Sequence, residues 1–389
     1  MSLLNSLIYI LCCVFAISLA PQFAGSAQAL TIGKSEIHPF VSVKEVFTDN
    51  VFTTSTNEKR DNLTYYTPGI SLSYPFSVHR FNANYSAILT RYDTYKAEKT
   101  NDQRARGVLD LKFGSRFSLS LSDVFVKDHE PRSSSTTGYI ERYRNNSGTA
   151  SLIYQLVDRS KVQIDYSKIS WKFRDSTFRD RKEDLVAGYL YYRFLPKTSF
   201  FIEYDTKKVD FSEATTLYDN TTTSGIIGLT WEINSQSKGT IKGGRTDKKF
   251  NDPTVKDHDT WTSSIDISHE FTKYTSIMII GQRIINESNR IGARFSIVTG
   301  GYGEVVHRFG HHLSALIHGS RGTDVYPDIF TPEMVARNDS NASGGLGLKY
   351  LVRDWIELSG DYTVRSRDSN FGAANFREHQ YSVMLSATL

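Results

Sequence analysis

The stretch ISLSYPFSVHRFNANYSAILT, residues 70–90, decides the fold. It holds two runs of alternating apolar and polar residues, separated by a short turn at residues 75–79. Because successive side chains of a β-strand point to opposite faces, each run predicts a strand with one apolar and one polar face. In the second run Phe81 and Tyr85 fall on the apolar face, and Asn84 falls on the polar face. The stretch therefore predicts a β-hairpin that meets an apolar phase on one side and water on the other.

The same alternation recurs along the chain in segments of about 8 to 12 residues, which is typical of a transmembrane barrel. In lipid every backbone amide and carbonyl must be paired, so a sheet that crosses a membrane closes on itself. We therefore predict an all-β fold, a transmembrane antiparallel up-and-down β-barrel of about 18 strands. The predicted strands are 37–49, 64–74, 80–91, 106–113, 116–126, 146–156, 161–173, 185–194, 199–207, 224–233, 238–247, 260–271, 275–285, 293–307, 312–322, 342–351, 355–366 and 376–389.

The predicted connectors alternate in length. Short ones such as Gly114–Ser115 and Leu195–Thr198 alternate with mostly long and charged ones such as Lys127–Arg142, Val209–Thr223 and Thr323–Asn341. Barrels of this class have short periplasmic turns and longer external loops, so we expect both termini in the periplasm.

Two details of the pattern carry further predictions. The alternation slips phase in segments 37–49, 161–173 and 275–285, and a β-bulge is one cause of such a slip. Aromatic residues such as Trp171 and Trp261 cluster at segment ends, which predicts an interfacial girdle. Cross-strand aromatic pairing in a soluble sandwich is the alternative interpretation.

The N-terminus has the pattern of a secretory signal. Leu7–Ala20 form an apolar core, and Ala27-Gln28-Ala29 supply a small-x-small cleavage site. We therefore predict a signal peptide over residues 1–29 and a single barrel domain over residues 30–389, exported to the outer membrane of a Gram-negative bacterium.

The composition excludes several function classes. Both cysteines lie within the predicted signal, which excludes disulfides, thiol catalysis and cysteine-ligated metal in the mature chain. The net charge of +4 is too small to indicate nucleic-acid binding. No later run of apolar residues reaches the length that a transmembrane helix requires.

The polar strand faces predict a hydrated interior that carries both signs of charge. Such charges are tolerated because the lumen of a barrel holds water, and about 18 strands leave room for a solute pathway. We expect interior cations to pair with anionic groups of a cargo, and a polar interior blocked by inward loops is the alternative. The predicted interior residues are Lys112, Asp165, Glu203, Lys207, Lys242, Glu304, His318, Lys349, Glu357, Asp361, Arg365 and Arg367.

Two histidine groups were considered for chemistry. His318 and Ser320 faintly resemble the His and Ser region of outer-membrane phospholipases, but alternation turns His318 inward, whereas a lipase aims its nucleophile at the membrane. His307, His311 and His312 flank a predicted turn without paired carboxylates, so we predict no metal or other cofactor. We predict a protein that is not an enzyme, with a lipid-modifying enzyme as the remote alternative and a surface barrel with partner-binding loops as the nearer one.

The last segment resembles a strand with a known role in biogenesis. Tyr381, Val383, Leu385, Ala387 and Leu389 alternate up to the final residue. This resembles the C-terminal strand that the outer-membrane barrel-assembly machinery recognises, which implies that machinery as a partner. That signal usually ends in Phe, and Leu389 departs from it.

The stretch HPFVSVKEVFTDNVF, residues 38–52, carries a family resemblance. Its arrangement of Pro39, Val41 and Thr48–Phe52 resembles the start of the putative β-barrel porin-2 family. The resemblance implies an outer-membrane pore for exopolysaccharide export, with periplasmic and inner-membrane partners and a polysaccharide cargo.

Overall fold

A computed structural model of the chain describes residues 30–130, 140–212, 216–233, 236–288, 290, 292–330 and 335–389, so the predicted signal peptide lies outside the described residues. Short 3-10 turns occur at Lys96–Glu98, Thr177–Arg179, Thr216–Tyr218 and Gly372–Ala374. The strands are β1 Leu30–Ile32, β2 Ser35–Thr48, β3 Asp61–Phe76, β4 His79–Tyr92, β5 Thr100–Phe113, β6 Phe117–Glu130, β7 Glu141–Val157, β8 Ser160–Phe173, β9 Arg181–Leu195, β10 Thr198–Phe211, β11 Asn220–Ile233, β12 Ser237–Phe250, β13 His258–Glu270, β14 Thr275–Glu287, β15 Phe295–Phe309, β16 Leu313–Phe330, β17 Val335–Arg353, β18 Ile356–Ser369 and β19 Phe376–Thr388.

Strands β2 to β19 form one closed antiparallel barrel. Each strand pairs with the next along the chain, and β19 pairs back onto β2 from Phe40↔Thr388 to Thr48↔Gln380. The three residues of β1 add only a short pairing to the start of β2. The predicted barrel of 18 strands is therefore confirmed, and closure leaves no unpaired sheet edge.

The outward face of the barrel is apolar and exposed. Leu190 of β9 and Ile202 of β10 are direct cross-strand partners, and each is 50% exposed. An apolar surface that continues around a closed sheet is stable where lipid rather than water surrounds it. Within the described ranges, no helix has the length and hydropathy that crossing a membrane requires.

The two ends of the barrel differ in their connectors. The connectors at one end, here called the short-turn end, are only a few residues long, for example residues 77–78 between β3 and β4. The C-terminus and the start of β2 lie at this end. The connectors at the opposite end, here called the long-loop end, reach their greatest length at residues 49–60. The predicted alternation of connector length is present.

The strands are longer than predicted, at 13 to 19 residues for β2 to β19. Strands extend into both ends of the predicted long loops at 127–142 and 209–223, and they take up most of the predicted loop at 323–341. Above the membrane both faces of a strand meet water, so charged side chains continue the ladder with ion pairs such as Arg104 Nη2–Asp128 Oδ2 at 2.8 Å. The parts of these predicted loops that lie outside the described residues are 131–139, 213–215 and 331–334.

The predicted β-bulges are wrong in position. Pairing runs without a shift through β2, and register shifts instead lie at four strand ends, as at Gln155/Val157. In β8 the phase slip has another cause, because Ile164 is outward and apolar whereas Lys172, further along the same face, is outward and charged. The alternation of apolar and polar residues inverts where β8 leaves the apolar band. Trp171, which was predicted for the girdle, faces the interior.

The seam between β2 and β19 offers a direct test of closure. The amide of Leu389 donates to the carbonyl of Pro39 at 3.0 Å, which makes this pair a hydrogen-bonded one. Ser42 and Ser386 are also direct partners and fall on the alternate rungs, so they form a non-hydrogen-bonded pair with Cα atoms about 4.5 Å apart. This distance lies within the range that a disulfide spans.

We expect the variant S42C/S386C to form a disulfide on oxidation. Non-reducing electrophoresis of heat-denatured protein should then show a compact form that reductant abolishes. The matched control is S42C/S359C, because Ser359 pairs with Met384 on the far side of β19 and lies about 10 Å from Ser42. Equal cross-linking of both variants, or none in S42C/S386C, would contradict the closed seam.

Candidate functional site

The pairing register places each predicted interior side chain on the strand face opposite the exposed apolar residues. In β10, Glu203 alternates with the exposed residues Ile202 and Tyr204. Direct cross-strand partners share a face, so the assignment carries from strand to strand. The remaining predicted residues with this placement are Lys112, Asp165, Lys207, Lys242, Glu304, His318, Lys349, Glu357, Asp361, Arg365 and Arg367.

Carboxylates dominate one level of the interior. Six inward carboxylates lie three to five residues from the short-turn ends of their strands. The inward cations near that level in the described residues include Lys242, Lys349 and Arg80, which is the direct partner of Asp110. We call these carboxylates the carboxylate belt. Two of them were not among the predicted site residues, because the prediction did not compare heights between strands. The belt consists of Asp110, Asp165, Glu203, Asp266, Glu304 and Asp361.

Most belt carboxylates accept hydrogen bonds from neutral donors. Ser120 Oγ donates to Asp110 at 2.7 Å, and Thr363 Oγ1 donates to Asp361 at 2.6 Å. Glu203 instead has a charged partner, since its Oε2 lies 2.7 Å from Lys242 Nζ. A hydroxyl donor stabilises a carboxylate without cancelling its charge, so the belt keeps a negative field.

Of the other predicted residues, Lys242, His318 and Lys349 lie near the level of the belt, and the remaining five lie above or below it. Lys112 and Glu357 each lie one residue from the short-turn end of their strands. Lys207, Arg365 and Arg367 lie towards the long-loop end, where they contact other polar side chains. The distances are 3.5 Å from Lys207 Nζ to a carboxylate oxygen of Glu287 and 3.0 Å from Arg367 Nε to the side-chain oxygen of Asn341, and Arg365 forms an ion pair with Glu378.

The His318 and Ser320 pair has the partners of an interior network rather than those of a nucleophile and its base. His318 Nε2 lies 3.2 Å from Asp361 Oδ2, and Ser320 Oγ lies 2.8 Å from Ser343 Oγ. Both side chains face the interior, so neither is aimed at lipid. The arrangement does not favour the lipid-modifying alternative.

One group of ligating atoms comes close together at the long-loop end. Asp102, Asp128 and His129 have ligating atoms within 4.8 Å of one another. Local contacts account for it, because His129 Nδ1 lies 3.0 Å from Asp102 and Arg104 pairs with Asp128. We therefore interpret this group of side chains as an ion-pair network and not as a metal centre.

Strand β14 separates from β13 near the long-loop end. Pairing between β13 and β14 ends at Ser263↔Arg283, but β14 and β15 stay paired as far as Glu287↔Phe295. We call the described residues of 284–297, which exclude 289 and 291, the inner hairpin. Its β14 edge is no longer hydrogen-bonded to the wall.

The inner hairpin packs against the inside of the wall. By register Ile285 shares the face of Ile279, which is outward and exposed, yet Ile285 is buried in a cluster with Phe250 and Phe295. Phe250 belongs to the inward face of β12. The outward face of the hairpin therefore lies against the inward face of β12, which puts the hairpin inside the barrel. Val255 of the connector between β12 and β13 completes the cluster.

A buried ion pair fixes the hairpin to this wall. Glu287 Oε1 accepts from Lys248 Nζ at 2.7 Å, and the two side chains are 2% and 1% exposed. Asn220 donates to the other carboxylate oxygen of Glu287 at 3.1 Å. From the hairpin tip, Arg290 lies 3.9 Å from Asp339 on β17. The inner hairpin is thus held from two sides and narrows the interior.

The connector that supplies Val255 is itself held by an aspartate turn. Asp252 Oδ1 accepts from the hydroxyl of Thr254 at 2.6 Å and from its amide at 2.8 Å. These hydrogen bonds lower the pKa of Asp252 below its usual range, with the Thr254 hydroxyl as the larger cause. The carboxylate form therefore stabilises the turn.

A closed barrel with an apolar outside and a polar, charged inside is the architecture of outer-membrane porins. The chain belongs to the family described as "Putative beta-barrel porin 2", whose sequence model matches residues 24–389. The family and the fold assign the barrel to the outer membrane. The short-turn end then faces the periplasm and the long-loop end faces the exterior.

The chain is also similar to solved structures, and one of them shows the same fold. The crystal structure of Pseudomonas aeruginosa OpdK with vanillate matches at a TM-score of 0.50 and 8% identity, over 91% of this chain and 99% of that chain. Pseudomonas aeruginosa OccK3 (OpdO) matches at 0.48 and 12% identity, over 91% and 95% of the two chains. Acinetobacter baumannii OccAB4 matches at 0.47 and 12%, over 92% and 99%. The comparison with curated proteins gives no match.

We expect Glu287→Gln to release the inner hairpin, because it leaves the Lys248 ammonium buried without its carboxylate. Breaking a buried pair costs about 3 kcal/mol or more, which is on the order of a 100-fold rise in local opening. Hydrogen exchange should accelerate in peptides of residues 276–305. The matched control is Asp210→Asn, which removes the acid of an exposed pair with Lys208.

The double variant K248M/E287L should restore slow exchange, because it removes both charges and keeps the bulk of the two side chains. Unchanged exchange in Glu287→Gln would show that the ion pair does not hold the hairpin. Equal acceleration in Asp210→Asn would show a general loss of stability instead.

Proposed function

We propose that this barrel is a passive channel for hydrophilic solutes, with a neutral or weakly charged exopolysaccharide as its cargo. The observation that carries the proposal is the hydroxyl-bonded carboxylate belt around the interior of a closed barrel. Carboxylates that keep their charge need water around them, so they favour a hydrated path.

The interior also offers the contacts that sugars use. Hydroxyl and amide side chains alternate with the charges and can exchange hydrogen bonds with sugar hydroxyls. Tyr189, Tyr191 and Phe201 face inward, with ring centroids 6.0 Å apart for the two tyrosines and 5.2 Å apart for Tyr191 and Phe201. Aromatic rings combine apolar area with a polar tip, which suits the mixed surface of a sugar ring.

The charge of the cargo differs from the initial expectation. Interior cations were expected to pair with anionic sugar groups, but Lys242, Lys248 and Arg365 already lie beside carboxylates. The belt repels polyanions. A neutral or weakly charged polymer therefore fits the interior better than a polyuronate does.

The transport mechanism involves no bond chemistry. Solute diffuses or threads through the hydrated interior, and the inner hairpin narrows the passage near the exterior. Direction would come from periplasmic and inner-membrane export partners that feed the polymer. The alternative of an adhesive surface barrel has less loop to bind a partner than expected, because strands take up most of residues 323–341 and the ends of the other two long loops.

We expect steady single-channel conductance from the refolded protein in a planar bilayer, with block by neutral oligosaccharides stronger than block by uronate oligomers. The belt is the physical reason for this order. Stronger block by uronates would contradict the assigned cargo charge. A correctly folded barrel that stays silent, also as the variant Glu287→Gln, would contradict the channel itself.

We expect the channel to prefer cations. The variant D110N/D165N/D361N should bring the cation-to-anion permeability ratio close to one, as measured from the reversal potential in a salt gradient. The matched control D123N/D184N/D210N removes three carboxylates from the outward face. Equal loss of selectivity in the control would show that the belt does not set it.

A further inference from the structure

A row of cations crosses the outward face near the external end. Lys127 of β6 is the direct partner of Arg144 of β7, which is the direct partner of Lys172 of β8. One rung further out, the amide of Arg174 donates to the carbonyl of Arg142 at 2.9 Å, so these two arginines are also neighbours. We call these five residues the outer basic row.

The outer basic row is electrostatically unfavourable by itself. Like charges directly opposite one another on paired strands destabilise a sheet. Lys172 has Asp180 at 3.0 Å, but neither Lys127 nor Arg144 forms an ion pair with a carboxylate of the described residues. Other outward cations have such partners, as Lys208 has Asp210 at 3.0 Å. The row is therefore a place where an external anion would relieve repulsion.

The row lies at a particular height on the barrel. On β6 the outward face begins with Phe117 at the periplasmic end, is apolar through Leu121, and then carries Asp123, which is exposed, and Phe125 before the row. Lys127 follows ten residues after Phe117, which at a tilt near 40° is about 25 Å along the barrel axis. This is about the thickness of the apolar band. The row thus stands at the headgroup level of the outer leaflet.

The surface at the row is concave. A cleft of about 630 Å³ is lined by all five residues of the row, by Lys99 and by two carboxylates, Asp102 and Asp128. Lys99 is exposed and comes from the connector between β4 and β5, so it adds a sixth cation from above. The two carboxylates already have partners, since Asp128 pairs with Arg104 and Asp102 lies 3.0 Å from His129 Nδ1. The six cations therefore leave the cleft with a net positive charge, and its size suits a phosphate-bearing headgroup.

We propose that the outer basic row binds the phosphates of a phosphorylated glycolipid of the outer leaflet, of the lipid A type. A guanidinium group can donate two parallel hydrogen bonds to the oxygens of one phosphate. A lysine ammonium adds a compact positive charge beside it. The acyl chains of the same lipid would lie against outward apolar residues nearer the periplasmic end, such as Leu121 and Ile164, beyond the outward charges of Asp123 and Lys168. The lipid and the channel interior contact opposite faces of the wall, so lipid binding leaves conductance unchanged.

The test uses the full barrel refolded in a neutral detergent, with bisphosphorylated lipid A as the probe and native mass spectrometry as the readout. The variant K127Q/R144Q/K172Q should lower the apparent affinity about tenfold or more, since charge-assisted contacts are lost. The matched control K208Q/R245Q/K249Q removes three outward cations that already pair with carboxylates. It should bind lipid A as the unmodified protein does.

Two further measurements distinguish binding of a phosphorylated lipid from binding of free phosphate. Lipid A without its phosphates should bind weakly to the unmodified protein, and millimolar inorganic phosphate should not displace the bisphosphorylated lipid. Displacement by inorganic phosphate, or equal loss in the control, would overturn the proposal of a lipid site. Thermal unfolding without lipid checks that the row variant is correctly folded. Because the variant removes like charges that repel one another, it should unfold at the temperature of the unmodified protein or higher. A large decrease would show that the cations are structural.

Discussion

The constraint on which the rest of the structure depends is that every backbone polar group at membrane depth must have a partner inside the protein. An unpaired group in hydrocarbon costs several kcal/mol, so the sheet closes where β19 meets β2. Closure removes the need for a buried apolar core, because lipid solvates the outward face. It also explains why β14 leaves β13 only near the long-loop end, where water and interior side chains can satisfy the backbone.

The interior uses charge in two different ways. In the carboxylate belt, hydroxyl donors hold charges that stay hydrated and keep their field, as Ser120 holds Asp110. At the inner hairpin, Lys248 and Glu287 are buried together, and their charges cancel. The first arrangement suits selection of a passing solute, and the second suits fixing a segment of backbone. The interior thus has charges suited to selection in the carboxylate belt and charges that fix the backbone at the inner hairpin.

The formal net charge of +4 conceals a separation of charge across the wall. Alternation sends the belt residues Asp110 of β5 and Asp165 of β8 inward, while it sends Lys127 of β6 and Arg144 of β7 outward. A strand whose faces meet different phases can hold opposite signs a few residues apart. Function on each face therefore has its own electrostatics: a negative belt for the solute and a positive row at the level of the lipid headgroups.

The sequence by itself determined the barrel, its strand number and the inward face, because alternation is a local property of each strand. Alternation assigned both Glu203 and Lys242 to the interior, but it could not predict that the two side chains form an ion pair. Only the tertiary structure decided what depends on pairing between distant strands. By parity Glu287 belongs to the outward face, and it reaches Lys248 only because the hairpin end folds inside the wall. Register between strands also decided which charges share one height, since no single segment contains that information.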